Sequence, residues 1–149
     1  KVSGDESGDV AIVLHALGSL ALEQKKGAEA KASFEKSLAM REKLGGATNE
    51  TLADGKTGVG RAMLLMDQPK DAVLQFEEVL KLLGDVDDRR RLARAKVDLG
   101  RALLLADPTS KERALTLLSD GLPGLSARER ERLTPMLEKV GLLAPDAGL

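Results

Sequence analysis

Apolar residues recur at helical spacing along most of the chain. In the segment "VAIVLHALGSLALE", Leu14, Leu17 and Ala21 lie three or four residues apart, which is the period of an amphipathic helix. The segment "AEAKASFEKSLAM" repeats this spacing with Ala30 and Phe34. No stretch alternates apolar and polar residues in the way that a half-buried strand requires. The pattern therefore predicts an all-α fold.

The helical segments are arranged as a repeat. Ala30, Ala72 and Ala114 are spaced by 42 residues, and the large apolar residues four positions after each of them share this spacing. A glycine in the preceding helix also recurs. The predicted organisation is a flexible N-terminal segment 1–8, repeat units 9–43, 49–83 and 87–122, a capping helix 126–140 and a tail 141–149.

Each unit carries the same short motif. Unit one reads Leu17-Gly18-x2-Ala21 and then Ala30-x3-Phe34, which resembles the tetratricopeptide repeat pattern. The 42-residue period resembles kinesin-light-chain-like arrays. The resemblance implies a right-handed αα solenoid of three helix pairs plus a C-terminal capping helix. A helix-interior glycine costs about 1 kcal/mol relative to alanine, so we expect these glycines to allow close packing of the two helices of a unit.

The third unit, "RRLARAKVDLGRALLL", resembles the C-terminal repeats of large bacterial Ser/Thr protein kinases. The kinase signature motifs do not occur in this chain, so the resemblance implies an interaction module beside a kinase domain, not a kinase. The chain begins without Met and is interpreted as a piece of a longer signalling protein.

Residues with capping preference stand before the predicted helices. Asp9 is the expected N-cap of the first helix, and Thr48 or Asn49 that of the third. Thr109 and Ser126 are each followed by glutamate three residues later, which predicts two capping boxes.

Composition narrows the functional classes. The chain has 149 residues, 42% hydrophobic and 32% charged, which indicates a folded domain. A formal net charge of −1 and two phenylalanines as the only aromatic residues argue against nucleic-acid binding. The absence of cysteine excludes thiolate metal sites and suits the cytoplasm. No apolar run reaches the about 20 residues of a membrane span. No cofactor or metal is expected.

The stretch "DGKTGVGRAMLL" suggests a phosphate-binding loop, but the first glycine of that motif would fall on Glu50 and no strand precedes it. The repeat register instead places the stretch in a helix. There, Gly60 is the packing glycine, while Gly55 and Gly58 lower helix propensity. Lys56 stands where unit one has Leu14. Asp54–Gly58 is therefore the predicted least stable part of the array.

The first helix of each unit lines the concave face in relatives of this kind. By resemblance, Arg61, Arg94 and Arg101 form a basic stripe that suits a peptide with acidic groups; the alternative is that they only solubilise the surface. His15, the single histidine, is interpreted as a groove residue without a catalytic partner. The predicted groove residues are His15, Ser19, Leu22, Asp54, Thr57, Arg61, Leu64, Arg94, Val97, Asp98 and Arg101.

The sequence thus predicts a non-enzymatic protein-interaction module that binds a protein or peptide partner in its groove. The alternative is homo-oligomerisation as a weak homodimer, because the helix over Ala11–Glu23 lacks a covering helix and is expected to expose apolar surface. A nucleotide-binding enzyme is the least favoured hypothesis.

Overall fold

The computed structural model describes residues 6–84 and 86–142. These residues form seven α-helices and two single-turn 3-10 helices, with no strand in the described part of the chain. The α-helices are α1 (Gly8–Glu23), α2 (Gly27–Lys43), α3 (Asn49–Leu65), α4 (Pro69–Leu83), α5 (Arg89–Ala106), α6 (Lys111–Gly121) and α7 (Ala127–Lys139). Part of the predicted N-terminal segment (residues 1–5) and part of the predicted tail (residues 143–149) lie outside the described residues.

Consecutive helices pack as pairs, and the pairs stack. Helices α1 and α2, α3 and α4, and α5 and α6 form the pairs, while α2 contacts α3 and α4 contacts α5. Because each pair covers an apolar face of its neighbour, the units build one continuous solenoid. The predicted all-α right-handed solenoid of three helix pairs with a C-terminal helix is confirmed.

One glycine in each unit lies against the large apolar residue of the partner helix. A Cβ atom at Gly60 would stand 2.7 Å from the ring of Phe76, and one at Gly18 would stand 3.0 Å from the ring of Phe34. Gly100 meets Leu118 in the same way. A methyl group at Gly60 or Gly100 would overlap the neighbouring side chain, and one at Gly18 would press on the Phe34 ring, so the packing role predicted for the repeated glycine is confirmed.

Gly55 and Gly58 also have packing roles, which sequence analysis missed. A Cβ at Gly58 would lie 2.5 Å from the ring of Phe34, and one at Gly55 would lie 2.5 Å from Leu38 Cδ2. Both contacts join α3 to α2 of the preceding unit. The interpretation that these glycines only weaken the helix is wrong, because they let two units approach. The low stability of Asp54–Gly58 itself stays a prediction.

The segment that resembled a phosphate-binding loop lies inside α3. Lys56 is about three-quarters buried along its side chain, and its Nζ atom donates to Glu78 Oε2 on α4 at 2.6 Å. Lys96 and Asp120 form the corresponding pair in the next unit at 3.4 Å. A lysine is thus accommodated at the position of Leu14 because an acidic residue of the partner helix faces it.

The N-terminal caps of the helices agree in part with those predicted from the sequence. Thr48 caps α3, and Ser126 with Glu129 forms the predicted capping box at α7. The prediction for Asp9 is wrong: the N-cap is Ser7, two residues earlier, whose hydroxyl accepts from the Val10 amide at 3.2 Å, and α1 begins at Gly8. The segment 1–8 therefore extends one residue too far.

The capping box predicted at Thr109 is also wrong. Asp107 accepts from the Thr109 amide at 2.9 Å and caps the 3-10 turn Pro108–Ser110 instead. Helix α6 then starts at Lys111 without a side-chain cap. Asp107 is the capping residue instead of Thr109 because its carboxylate reaches the backbone amide two residues later, which is the geometry of an Asx turn.

Candidate functional site

Helices α1, α3 and α5 lie side by side and line an open cavity of about 440 Å³, here called the central cavity. Its lining comes mainly from the first helix of each unit, as the resemblance to tetratricopeptide repeats implies. The lining residues are His15, Ser19, Leu22, Phe34, Ala53, Asp54, Thr57, Gly58, Arg61, Leu83, Asp88, Arg90, Arg91, Arg94 and Ala95.

A second cavity of about 270 Å³, here called the cap cavity, lies between α5 and α7. It shares Arg61 and Arg94 with the central cavity, so the two form one groove. The cap cavity is lined by Arg61, Arg94, Val97, Asp98, Arg101, Leu125, Glu129, Arg132 and Leu133.

The structure places ten of the eleven predicted site residues in these two cavities. The exception is Leu64, which packs against the core cluster that contains Phe76 and Leu99. Val97 is only 3% exposed and Asp98 only 2%, so these two form the wall of the groove and offer little contact surface. The binding role of the set stays a prediction.

Asp98 is held between two arginines of the predicted basic stripe. Arg61 donates to Asp98 Oδ2 from Nε at 3.0 Å and from Nη2 at 2.7 Å, while Arg101 Nη1 lies 3.7 Å from Oδ1. The negative charge of Asp98 raises the pKa of Arg61. Because a buried carboxylate requires a partner, Arg61 serves first as the counter-ion of Asp98.

Arg91 makes an analogous link between α3 and α5. Its guanidinium donates to both carboxylate oxygens of Asp54, at 3.0 and 3.1 Å, and also bonds Asp88. These hydrogen bonds, of which those to Asp54 have the largest effect, raise the pKa of Arg91 above its ordinary value. The bidentate geometry fixes Asp54, so this predicted groove residue is paired as well.

Glu129 closes the groove from α7. Its Oε2 atom accepts hydrogen bonds from the Ser126 amide and hydroxyl, while Oε1 accepts one from Arg94 Nε. The hydrogen bond from the Ser126 hydroxyl, with smaller contributions that include Arg94, lowers the pKa of Glu129 to about 2. Arg90 lies 3.7 Å from the same carboxylate but keeps 62% of its side chain exposed.

The groove keeps a positive excess after this pairing. Six arginines line it, against four carboxylates. Arg132 is exposed, and no carboxylate of residues 6–84 or 86–142 forms an ion pair with it. A guanidinium carries five N–H donors, so Arg94 also retains donors beyond its bond to Glu129. The charge available to a ligand therefore lies mainly between α5 and α7.

His15 contributes to the other end of the central cavity. Its ring meets Phe34 edge-on, with 5.0 Å between centroids. Burial, together with the charge of Arg41, lowers the pKa of His15, while Asp54 opposes the shift. The imidazole is thus neutral near pH 7. Within the described residues, no group of three or more His, Asp or Glu side chains is arranged to hold a metal ion.

Sequence analysis missed several charged lining residues. A usable signal existed for two of them: Arg90 and Arg91 precede Arg94 by four and three residues, which puts all three near one face of α5. No local sequence pattern predicted the other charged lining residues, because their positions in the groove depend on how α7 and the α4–α5 connection pack against α5. The missed charged residues are Asp88, Arg90, Arg91, Glu129 and Arg132.

Stacked helix pairs with a groove along their first helices define a helical-repeat protein. The tetratricopeptide repeat family model matches residues 9–85, more than half of the chain, and the chain belongs to this family. The family is one of non-catalytic protein-interaction scaffolds.

Among solved structures, the chain is similar to the N-terminal domain of stress-induced protein-1 (STI-1) from C. elegans, with a TM-score of 0.61 and 16% identity. The match covers 90% of this chain and 96% of that one. At this identity the likeness shows the fold alone. No curated protein matches the chain. In the described part, no helix has the length and apolar character that a membrane span requires.

Proposed function

We propose that this chain binds an extended acidic segment of a partner protein along the groove formed by the central and cap cavities. The observation that carries the proposal is the excess of six arginines over four carboxylates in one continuous groove. Arginine binds carboxylates through charge-assisted and bidentate hydrogen bonds. A peptide rich in Asp and Glu is the ligand that complements this surface.

The residues available to the ligand differ from the predicted basic stripe. Arg61 holds the buried Asp98, so its substitution would disturb the fold together with the groove. Arg90 and Arg132 are exposed, and Arg90 lines the central cavity whereas Arg132 lines the cap cavity. Among the described residues Arg132 forms no ion pair, so its substitution reports on binding most directly, whereas substitution of Arg90 also removes the 3.7 Å contact to Glu129.

Fluorescence anisotropy tests the proposed binding of acidic segments with a labelled 12-residue peptide of alternating Glu and Ser. A Lys–Ser peptide of the same length is the control of opposite charge. The Glu peptide should bind, more weakly at higher salt, and Arg90→Glu or Arg132→Glu should each weaken binding at least fivefold. Arg128→Glu is the matched control, because Arg128 is exposed on α7 and lines neither cavity. Equal binding by all three variants would remove the groove proposal.

We further propose that the module works inside a larger cytoplasmic signalling protein. The support is the resemblance of the third unit to repeats that follow bacterial Ser/Thr kinase domains, together with the absence of cysteine. The flanking gene sequence tests this directly. A parent protein without any signalling domain would contradict it.

Self-association is the second candidate function, and the outer face of α1 favours it. Ile12, Val13, Leu17 and Leu20 are each about half exposed there. Four half-exposed aliphatic side chains present on the order of 400 Å², against about 800 Å² per partner in a standard interface, which predicts a weak dimer.

Sedimentation across a concentration series tests the dimer. Leu17→Glu should abolish association, whereas Leu74→Glu on α4, at a site 63% exposed, should leave it unchanged. A wild-type protein that stays monomeric at millimolar concentration excludes this function.

A further inference from the structure

A third cavity, here called the edge cavity, extends the groove beyond the cap cavity. It has a volume of about 410 Å³ and lies between the C-terminal turns of α5 and α7 and the start of α6. Arg101 lines both the cap cavity and the edge cavity, so the groove leads into it. The lining residues are Arg101, Leu104, Leu105, Pro108, Lys111, Met136, Lys139 and Val140.

The chemistry of the edge cavity differs from that of the groove. Five of its eight lining residues are apolar and three are cationic, with no carboxylate among them. Arg101 has only the 3.7 Å contact to Asp98, and no carboxylate of the described residues pairs with Lys111 or Lys139. An apolar surface with an uncompensated cationic rim suits a ligand that combines apolar side chains with negative charge.

Leu105 shows that the apolar surface is open. It is 65% exposed, although leucine is among the residues most often buried. The cavity volume falls in the range of about 300–1,000 Å³ that is typical of ligand sites. The cavity is thus large enough for more than one bulky side chain.

We propose that the edge cavity binds the apolar anchor of the acidic partner segment. This inference rests on the proposed groove function and specifies its ligand: a run of Asp and Glu residues along α5 and α7, with bulky aliphatic residues at one end. A peptide is the occupant because the cavity continues the groove through Arg101 and shares its positive charge.

The test uses capped 12-residue Glu–Ser peptides that carry Leu-Leu at the N-terminal end, Leu-Leu at the C-terminal end, or Ala-Ala at both. Anisotropy with the wild-type chain should show about tenfold tighter binding for one Leu-Leu peptide than for the Ala-Ala peptide. Leu105→Glu should remove that difference and leave the Ala-Ala affinity within a factor of three. Leu74→Glu, at an equally exposed leucine, should preserve the difference.

A second variant tests the rim. Lys111→Glu should reduce the Leu-Leu advantage at least threefold, because it places a carboxylate beside the anchor. Circular dichroism should show that each variant keeps the wild-type helical content.

The outcomes are separable. Equal affinity for Leu-Leu and Ala-Ala peptides overturns the anchor proposal while the groove proposal stands. No binding of any Glu–Ser peptide overturns the groove proposal and the anchor proposal with it. Binding of sodium dodecanoate that is lost in Leu105→Glu, without discrimination between the peptides, would assign the cavity to a single-chain amphiphile and also overturn the proposal.

Discussion

Substitution of Gly58 by alanine tests how the units are held together. In an ordinary helix interior, this change stabilises the protein, because glycine costs about 1 kcal/mol relative to alanine. Gly58 is buried in α3, and an added Cβ would lie 2.5–2.6 Å from three atoms of the Phe34 ring on α2. We therefore expect the opposite sign.

The magnitude follows from two opposing terms. The gain in helix propensity is about 1 kcal/mol, whereas overpacking of a tight core costs about 1–3 kcal/mol. Phe34 is only 2% exposed and also touches Gly18, so its ring has little room to move. The cost should therefore lie in the upper part of its range, at about 2–3 kcal/mol, and we expect Gly58→Ala to lower the free energy of unfolding by about 1–2 kcal/mol.

Urea unfolding followed by circular dichroism measures the change, and the melting temperature should fall by roughly 3–8 °C. Gly8→Ala is the matched control, because nothing lies within 4 Å of its added Cβ. Phe34→Leu should destabilise the wild type but partly rescue Gly58→Ala, with a coupling of about 1 kcal/mol. A Gly58→Ala protein more stable than the wild type would refute the packing argument.

Three further predictions concern the charged groups. Arg61→Ala should lower the free energy of unfolding by about 2 kcal/mol in urea titration, because it leaves the buried Asp98 with only its distant second arginine. Since Glu129 has its pKa lowered to about 2, its contribution to stability is complete above the ordinary glutamate pKa, and denaturation midpoints should fall as pH drops from about 4.3 to about 2. His15, the single histidine, should titrate below about 6.5 by NMR, and Arg41→Ala should raise its pKa.

The fold was predictable because its signals are periodic. Ala30, Ala72 and Ala114 are each fully buried, and the 42-residue spacing alone located them. The resemblance to tetratricopeptide repeats, not the spacing itself, placed the first helix of each unit on the groove. One position in each unit therefore fixes the role of its equivalents, as the buried Phe34 and Phe76 also show.

The packing of Gly55 and Gly58 could not be read in this way. Both residues stand in α3 at positions where unit one has Val13 and Ala16, so the repeat gives no hint of a missing side chain. Their role depends on Phe34 and Leu38 of the preceding unit. Contacts between units vary with the side chains on both sides, whereas the contact between the two helices of a unit recurs.

The pairing of the groove arginines follows a rule that the sequence contains. Arg61 pairs with Asp98 and Asp54 pairs with Arg91, and each pair joins residues 37 positions apart. Equivalent positions of α3 and α5 are 40 residues apart, as Gly60 and Gly100 show. In each pair, the α5 residue therefore lies about one helical turn before the α5 position that is equivalent to its α3 partner.

This offset decides which arginines remain for a ligand. On α3 and the first part of α5, each arginine of the groove meets a carboxylate of a neighbouring helix, as Arg61 and Arg91 do. Glu129 is the only carboxylate that α7 contributes to the lining, and it serves both Arg90 and Arg94. Arg132 then adds a further positive charge at the same place. The binding energy for an acidic partner should therefore be concentrated between α5 and α7, next to the edge cavity.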